Sequence, residues 1–203
     1  MSRPHLPAAL AGLLGVLLNV LAVGALRPIP HTYRPGDVPA WLAETLAHPG
    51  HTTFSAWAFT IGLVCLAAFG GGLAFASRTS WATVGAGLFG FGALLDAAGT
   101  MGPVAALHVN SATGLGLLWM SLLLDSAFNG LLGLGLICFA LGLPGDWPRG
   151  LRILGFVAGI ASLPVALQFH SDDFARLLAV AGPLWLSWVI WASVLLLRAE
   201  KRA

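Results

Sequence analysis

Apolar residues run almost without interruption through six stretches of this chain, at 6–26, 54–76, 81–107, 115–143, 151–169 and 177–197. Each approaches or exceeds the ~20 residues with which a helix crosses the hydrocarbon of a bilayer. The strands of a closed barrel would be short and would alternate apolar with polar positions, whereas these runs stay apolar from end to end, so the pattern predicts helices. The expected fold is all-α, a polytopic transmembrane six-helix bundle forming a single domain over 1–203. Polar residues gather between the runs. The connections around 77–80, 108–114, 144–150 and 170–176 are short, which makes consecutive helices antiparallel neighbours.

Only the connection at 27–51 is long. Within it, 38–48 reads as a short helix: Asp37 stands where a cap belongs, Pro39 suits the first turn and Pro49-Gly50 ends the segment. Val38, Trp41, Leu42, Thr45 and Leu46 share one side, so the segment is expected to lie on the membrane surface as an interfacial anchor, with a lid over the bundle as the other placement. Trp81, Trp147 and Trp185 fall near the ends of spans, as an aromatic belt requires, while Trp188 and Trp191 fall deeper and read as packing residues.

Composition agrees with burial in lipid: 58% of the residues are hydrophobic and 9% charged, against roughly a quarter charged in soluble domains. The basic residues set an orientation. With the N-terminus inside, Arg3, Arg78, Arg149, Arg152, Arg198, Lys201 and Arg202 collect on the inner side and only Arg27, Arg34 and Arg176 on the outer, which places both termini in the cytoplasm. Arg3 followed by an apolar run and Val23-Gly24-Ala25 has the look of a secretory signal. Its apolar core is longer than the ~7–15 residues of a signal, so the first span is expected to be retained. No basic patch interleaved with aromatics points to nucleic acid. Cys65 and Cys138 fall inside spans at different depths, outside any disulfide framework or Cys-x-x-Cys motif.

Two charges stand inside the apolar runs. Asp96 and Asp125 each lie roughly 15 Å from the outer end of their span, counting 1.5 Å per residue, and a short connection joins the two helices. They are expected to share one level and to face one interior seam. Two carboxylates that meet do not readily both ionise, so such a pair would hold a proton at neutral pH. Ser121, Asp125 and Asn129 follow at four-residue spacing and make one polar stripe, and Thr100 lies a turn beyond Asp96. Asn19 and Thr60 are placed to reach the same zone. One reading is structural, with these groups bonding across helices. The other is a polar cavity that binds or relays a proton, an ion or a small polar molecule.

A second candidate lies outside the membrane. Five of the six histidines, His31, His48, His51, His108 and His170, map to the outer side. Converging imidazoles at His48, His51, His108 and His170, with Asp172 and Asp173, would suit zinc or copper, and two histidines at helix ends would suit haem. A third reading takes the chain as a structural or regulatory subunit. Gly70-Gly71-Gly72, Ala86-x-x-x-Gly90, Gly130-x-x-Gly133-x-Gly135 and Gly155-x-x-x-Gly159 allow close helix packing, within the chain or against a second copy or another membrane protein.

Several classes drop out. The sole lysine, Lys201, lies outside the spans, which leaves no site for a retinal Schiff base. Neither a phosphate-binding loop, nor a dinucleotide fingerprint in strand-to-helix context, nor a Gly-x-Ser-x-Gly elbow is present.

From Asp125 onward, Gly133-Leu-Gly-Leu, then Pro144, Trp147-Pro148-Arg149-Gly150-Leu151 and the final Trp191-Ala-Ser-Val-Leu-Leu-Leu-Arg198 form a recognisable series. It resembles an uncharacterised family of small bacterial six-helix integral membrane proteins, in which a glycine-rich fourth helix runs into a Pro/Trp/Arg turn. The resemblance covers the C-terminal half of the chain and implies a bacterial inner-membrane location with no defined activity.

Overall fold

The computed structural model describes residues 5–26 and 33–201; Arg3, Arg27, His31 and Arg202 lie outside the described residues. It is helical: α1 (His5–Ala25), α2 (Val38–Ala47), α3 (Pro49–Ser77), α4 (Ser80–Thr100), α5 (Gly102–Ala106), α6 (Ser111–Gly142), α7 (Arg149–Ser162), α8 (Asp172–Arg176) and α9 (Leu178–Lys201), with 3-10 turns at Pro35–Asp37 and Pro164–Leu167. No strand occurs among the described residues. Six segments are long and apolar enough to cross a membrane, and the chain is a multi-pass membrane protein by length and composition.

Local chemistry sets most of the helix ends. Asn110 caps α6, its side-chain oxygen accepting from Thr113 N at 2.9 Å, and Thr79 caps α4 by accepting from Ala82 N at 3.2 Å. Thr79 also donates to the Gly142 carbonyl at 2.8 Å, which ties the start of α4 to the end of α6. Asp37 occupies the N-cap position of α2, but its side chain makes no capping bond. Two spans differ from the unbroken helices that the apolar runs predict. The third breaks at Met101, because Pro103 in the first turn of α5 has no N–H to continue the ladder. The fifth is helical only to Ser162, where Pro164 turns the chain into a 3-10 segment. At 14 residues, α7 rises about 21 Å and stops short of the far side of the hydrocarbon.

The long helices form a closed ring. Each packs against the spans before and after it, and α1 completes the circle against α9. Glycines set the close approaches. The Gly133 and Gly159 backbones pass so near that a Cβ on Gly133 would stand 2.8 Å from the Gly159 carbonyl oxygen, and Gly85 and Gly135 press together in the same way between α4 and α6. Apolar burial drives little association in lipid, so such backbone contact is what holds neighbouring spans together. The glycine-rich faces are thus largely occupied within this chain.

The basic face, with Arg78, Arg149, Arg152 and Arg198 at its helix ends, is sealed by aromatic rings. Phe69, Phe89, Phe139 and Trp188 are all fully buried. Trp188 lies 6.2 Å from Phe69 and 5.6 Å from Phe139 between ring centroids, and its indole N–H donates to Leu151 O at 3.1 Å. Each ring comes from a different wall, α3, α4, α6 and α9, so together they close the ring of helices from within.

The loop face carries α2, α5 and α8. Val38, Trp41 and Leu42 of α2 are buried with Ala106, Leu118 and Leu122 of α5 and α6. With Trp41 only 1% exposed, this part of α2 packs against the bundle, while Leu46 stays 49% exposed. The belt expectation changes. Trp81 is 54% exposed as a belt residue would be, but Trp185 is 6% exposed and belongs to the interior.

Candidate functional site

Above the aromatic seal, the loop half of the ring encloses a cavity of about 730 Å³. Its polar lining comes from several walls: Asn19 on α1, Asp96 on α4, Asp125 and Asn129 on α6, and Gln168 just after the 3-10 turn. Phe59, Phe128 and Trp185 supply apolar wall, while Tyr33, Arg34 and Arg176 line the loop side.

Asp96 and Asp125 meet here. Both are buried, at 3% and 9% exposure, and their carboxyls adjoin closely enough for one to hydrogen-bond the other when a proton lies between them. The antiparallel register of α4 and α6 brings this about. Gly92 abuts Phe128 and Leu131, and Gly99 abuts Leu124, so Asp96 falls midway between those contacts and opposite Asp125.

Asp125 is held from two sides. Asn129 Nδ2 donates to the Asp125 carbonyl at 2.9 Å and to its Oδ2 at 3.3 Å. Gln168 Nε2 donates to the same Oδ2. Two acceptors remain: Asp96 Oδ1 and Gln168 Oε1 are both buried and lack a hydrogen-bond partner among the described residues. Buried polar atoms are nearly always paired. Asp96 and Gln168 line the cavity, but these two oxygens are themselves covered by surrounding protein.

Asn19 reaches the cavity while donating to its own Gly15 carbonyl at 2.8 Å. Tyr33 is held at φ 60, a left-handed backbone that non-glycine residues seldom adopt, with its ring 5.1 Å from Trp41. Burial raises the Tyr33 phenol well above its usual 10, and the negative charges of Asp96 and Asp125 add to that rise.

The other residues singled out from sequence are placed elsewhere. Ser121 is buried against Gly102 of α5, its hydroxyl donating to Leu117 O at 2.9 Å. Thr100 bonds Thr60 at 2.9 Å and Ala97 O at 2.9 Å. Neither lines the cavity, so the four-residue stripe divides, with Asp125 and Asn129 inside and Ser121 on a helix seam. Four residues per step exceeds the 3.6-residue turn, and the stripe drifts around the helix. Gln168 is the participant that sequence reading did not single out. Its signal was Pro164, which ends α7 early and lets the following turn enter the bundle.

Among the described residues, no group of three His, Cys, Asp or Glu side chains converges as a metal site. His48 and His51 pack edge to face, 6.0 Å between ring centroids, and His48 also faces Glu44 at 3.8 Å. His108 and His170 are exposed. The cavity itself offers carboxyl and amide oxygen, with no imidazole or thiol in its lining among the described residues. Oxygen acceptors of this kind suit a proton, an ammonium group or a hard cation. Cys65 and Cys138 are both free thiols.

No family model, no curated protein and no solved structure matches this chain.

Proposed function

We propose that this protein binds a small hydrogen-bond-donating molecule or cation at the Asp96–Asp125 pair, and that the bound group exchanges with a proton. The observation that carries the reading is the meeting of two buried carboxyls, Asp96 and Asp125, in the lining of one cavity. Two buried carboxylates repel each other, and either a shared proton or a bound cation relieves that repulsion. Asn129 and Gln168 hold Asp125 in one orientation, which leaves Asp96 as the group that changes partner. Thr100 and Ser121 serve the helix seams.

The excess of arginine on one face supports a cytoplasmic location for that face and for both termini, with the cavity opening away from the cytoplasm. The C-terminal resemblance supports a bacterial inner membrane. Infrared difference spectroscopy across a pH jump, in H2O and in D2O, tests the reading. A carboxyl band that responds to the jump, exchanges with D2O and disappears in D96N/D125N is the expected result. A native spectrum without any responsive carboxyl band refutes the reading.

A further inference from the structure

The cavity has a second boundary besides its loop-side roof. On the basic side α1 and α9 are in contact, with the α1 backbone at Gly12 lying directly over Ser193. Toward the loop face they part. Gly24 on α1 and Gly182 on α9 have open space where a side chain would project, and Val20, Val23 and Pro183 line the cavity although each is exposed on the outside of the bundle. Pro183, inside α9, has no N–H to offer the Ala179 carbonyl. Residues 176–180 are all exposed. The result is a slot in the wall of the ring near the loop-face ends of α1 and α9.

We infer that a lipophilic amine, an ammonium head on an apolar chain, enters from the bilayer through the α1/α9 slot and seats its head at Asp96, Asp125 and Gln168. This rests on the reading of the carboxyl pair given above and assigns it a class of ligand. The cavity's acidic groups are the carboxyls of Asp96 and Asp125, so the head must donate, and a protonated amine donates to several oxygens at once. The body must be apolar, because Phe59, Phe128, Trp185 and Leu186 wall the space between slot and carboxyls. A volume of about 730 Å³ falls in the range that holds a drug-sized molecule. Direction of entry follows from charge. Arg34 lines the loop side, so a cation arriving from water there meets a guanidinium, whereas Arg176, at the loop end of the slot, is offset by Asp173 at 3.1 Å.

The test is saturable binding of radiolabelled decylammonium to the purified protein in lipid nanodiscs, with methylammonium and decanol as competitors. D96N/D125N should weaken binding by about tenfold or more, the loss of at least one charge-assisted hydrogen bond. Either competitor should be at least about tenfold poorer than unlabelled decylammonium, since each lacks one half of the ligand. The double variant G24L/G182L fills the slot where there is room for the new side chains, and leucine is a better helix former than glycine. It should slow association severalfold while unfolding at the native temperature, and V23W should do the same from the α1 lip alone. Equal competition by methylammonium overturns the inference in favour of a water-borne cation and leaves the carboxyl site standing. Undiminished binding in D96N/D125N overturns it as partitioning of the tail alone. Unaltered association in both slot variants overturns lateral entry. Absence of saturable binding overturns the ligand class, and the infrared experiment then decides separately whether the carboxyl pair is an exchange site.

Discussion

Gln168 donates its amide to Asp125 Oδ2 from a turn that follows a prematurely ended helix. This bond joins the irregular segment after α7 to the middle of α6. Both residues are buried, so removing the donor leaves a buried carboxyl with one fewer partner. Gln168→Leu should therefore destabilise the protein by about 1.5–3 kcal/mol, the range for a hydrogen bond to a charged group. Thermal unfolding in detergent micelles reads this directly. A native melting temperature in Q168L would mean that Asn129 alone suffices to hold Asp125.

Tyr33 is the only tyrosine in the chain, so tyrosinate absorbance reports one site. Burial and the two nearby carboxylates raise its phenol above its usual 10, which means that the folded protein retains the proton after the unfolded chain has lost it. The associated stability is fully present below about pH 10 and falls as pH rises from there toward the folded value. A spectrophotometric titration should show no tyrosinate at pH 10 in the folded protein and its immediate appearance on unfolding. D96N/D125N removes the charge contribution and should move the folded titration toward lower pH while burial keeps it above 10. Identical titration curves in native and double-variant protein would show that the carboxyls do not reach Tyr33.

Sequence made the architecture legible to the extent that hydrophobicity alone decides it. Six runs became six spans because a continuously apolar run satisfies its backbone in hydrocarbon only as a helix, the alternating strands of a closed barrel being excluded by the pattern. Asp96 and Asp125 were visible for the same reason, and a short connection placed them on neighbouring helices. The rest of the site depended on irregular backbone. Gln168 sits at the end of an apolar run, where hydropathy reads an exit from the membrane. Only the break at Pro164 turns it inward. The slot was equally hidden, since Gly24 and Gly182 read like the packing glycines at Gly133 and Gly159. What separates them is whether another backbone arrives opposite, and that is a property of the closed ring rather than of any local pattern.

That distinction predicts opposite outcomes for similar substitutions. Gly133→Val puts a branched side chain where a Cβ alone would stand 2.8 Å from the Gly159 carbonyl oxygen, so α6 and α7 must separate. Overpacking of this kind costs about 1–3 kcal/mol. Gly182→Val meets open space and should leave stability within about 0.5 kcal/mol of native, the usual range for a surface change. Side-by-side melts of G133V and G182V check the contrast. Equal loss in both would mean that the two glycines serve the same packing role.

The aromatic seal makes the last prediction. Trp188 is fully buried and touches the rings of Phe69 and Phe139, which come from the far walls of the bundle. It is the part of α9 one turn below the cavity-lining Trp185, so its indole stands between the carboxyl site and the basic face. Trp188→Ala removes that volume and the bond to Leu151 O, at a cost of about 3–5 kcal/mol for a large aromatic cut to alanine. It also extends the cavity toward the basic face. Vesicles reconstituted with W188A should therefore dissipate an imposed pH gradient faster than vesicles with native protein. W188F restores most of the volume without the N–H donor and should be tight to protons while losing only about 1 kcal/mol. A W188A protein that is folded and as tight as native would place the barrier elsewhere, at Phe89 and Phe139, whose rings pack 6.3 Å apart.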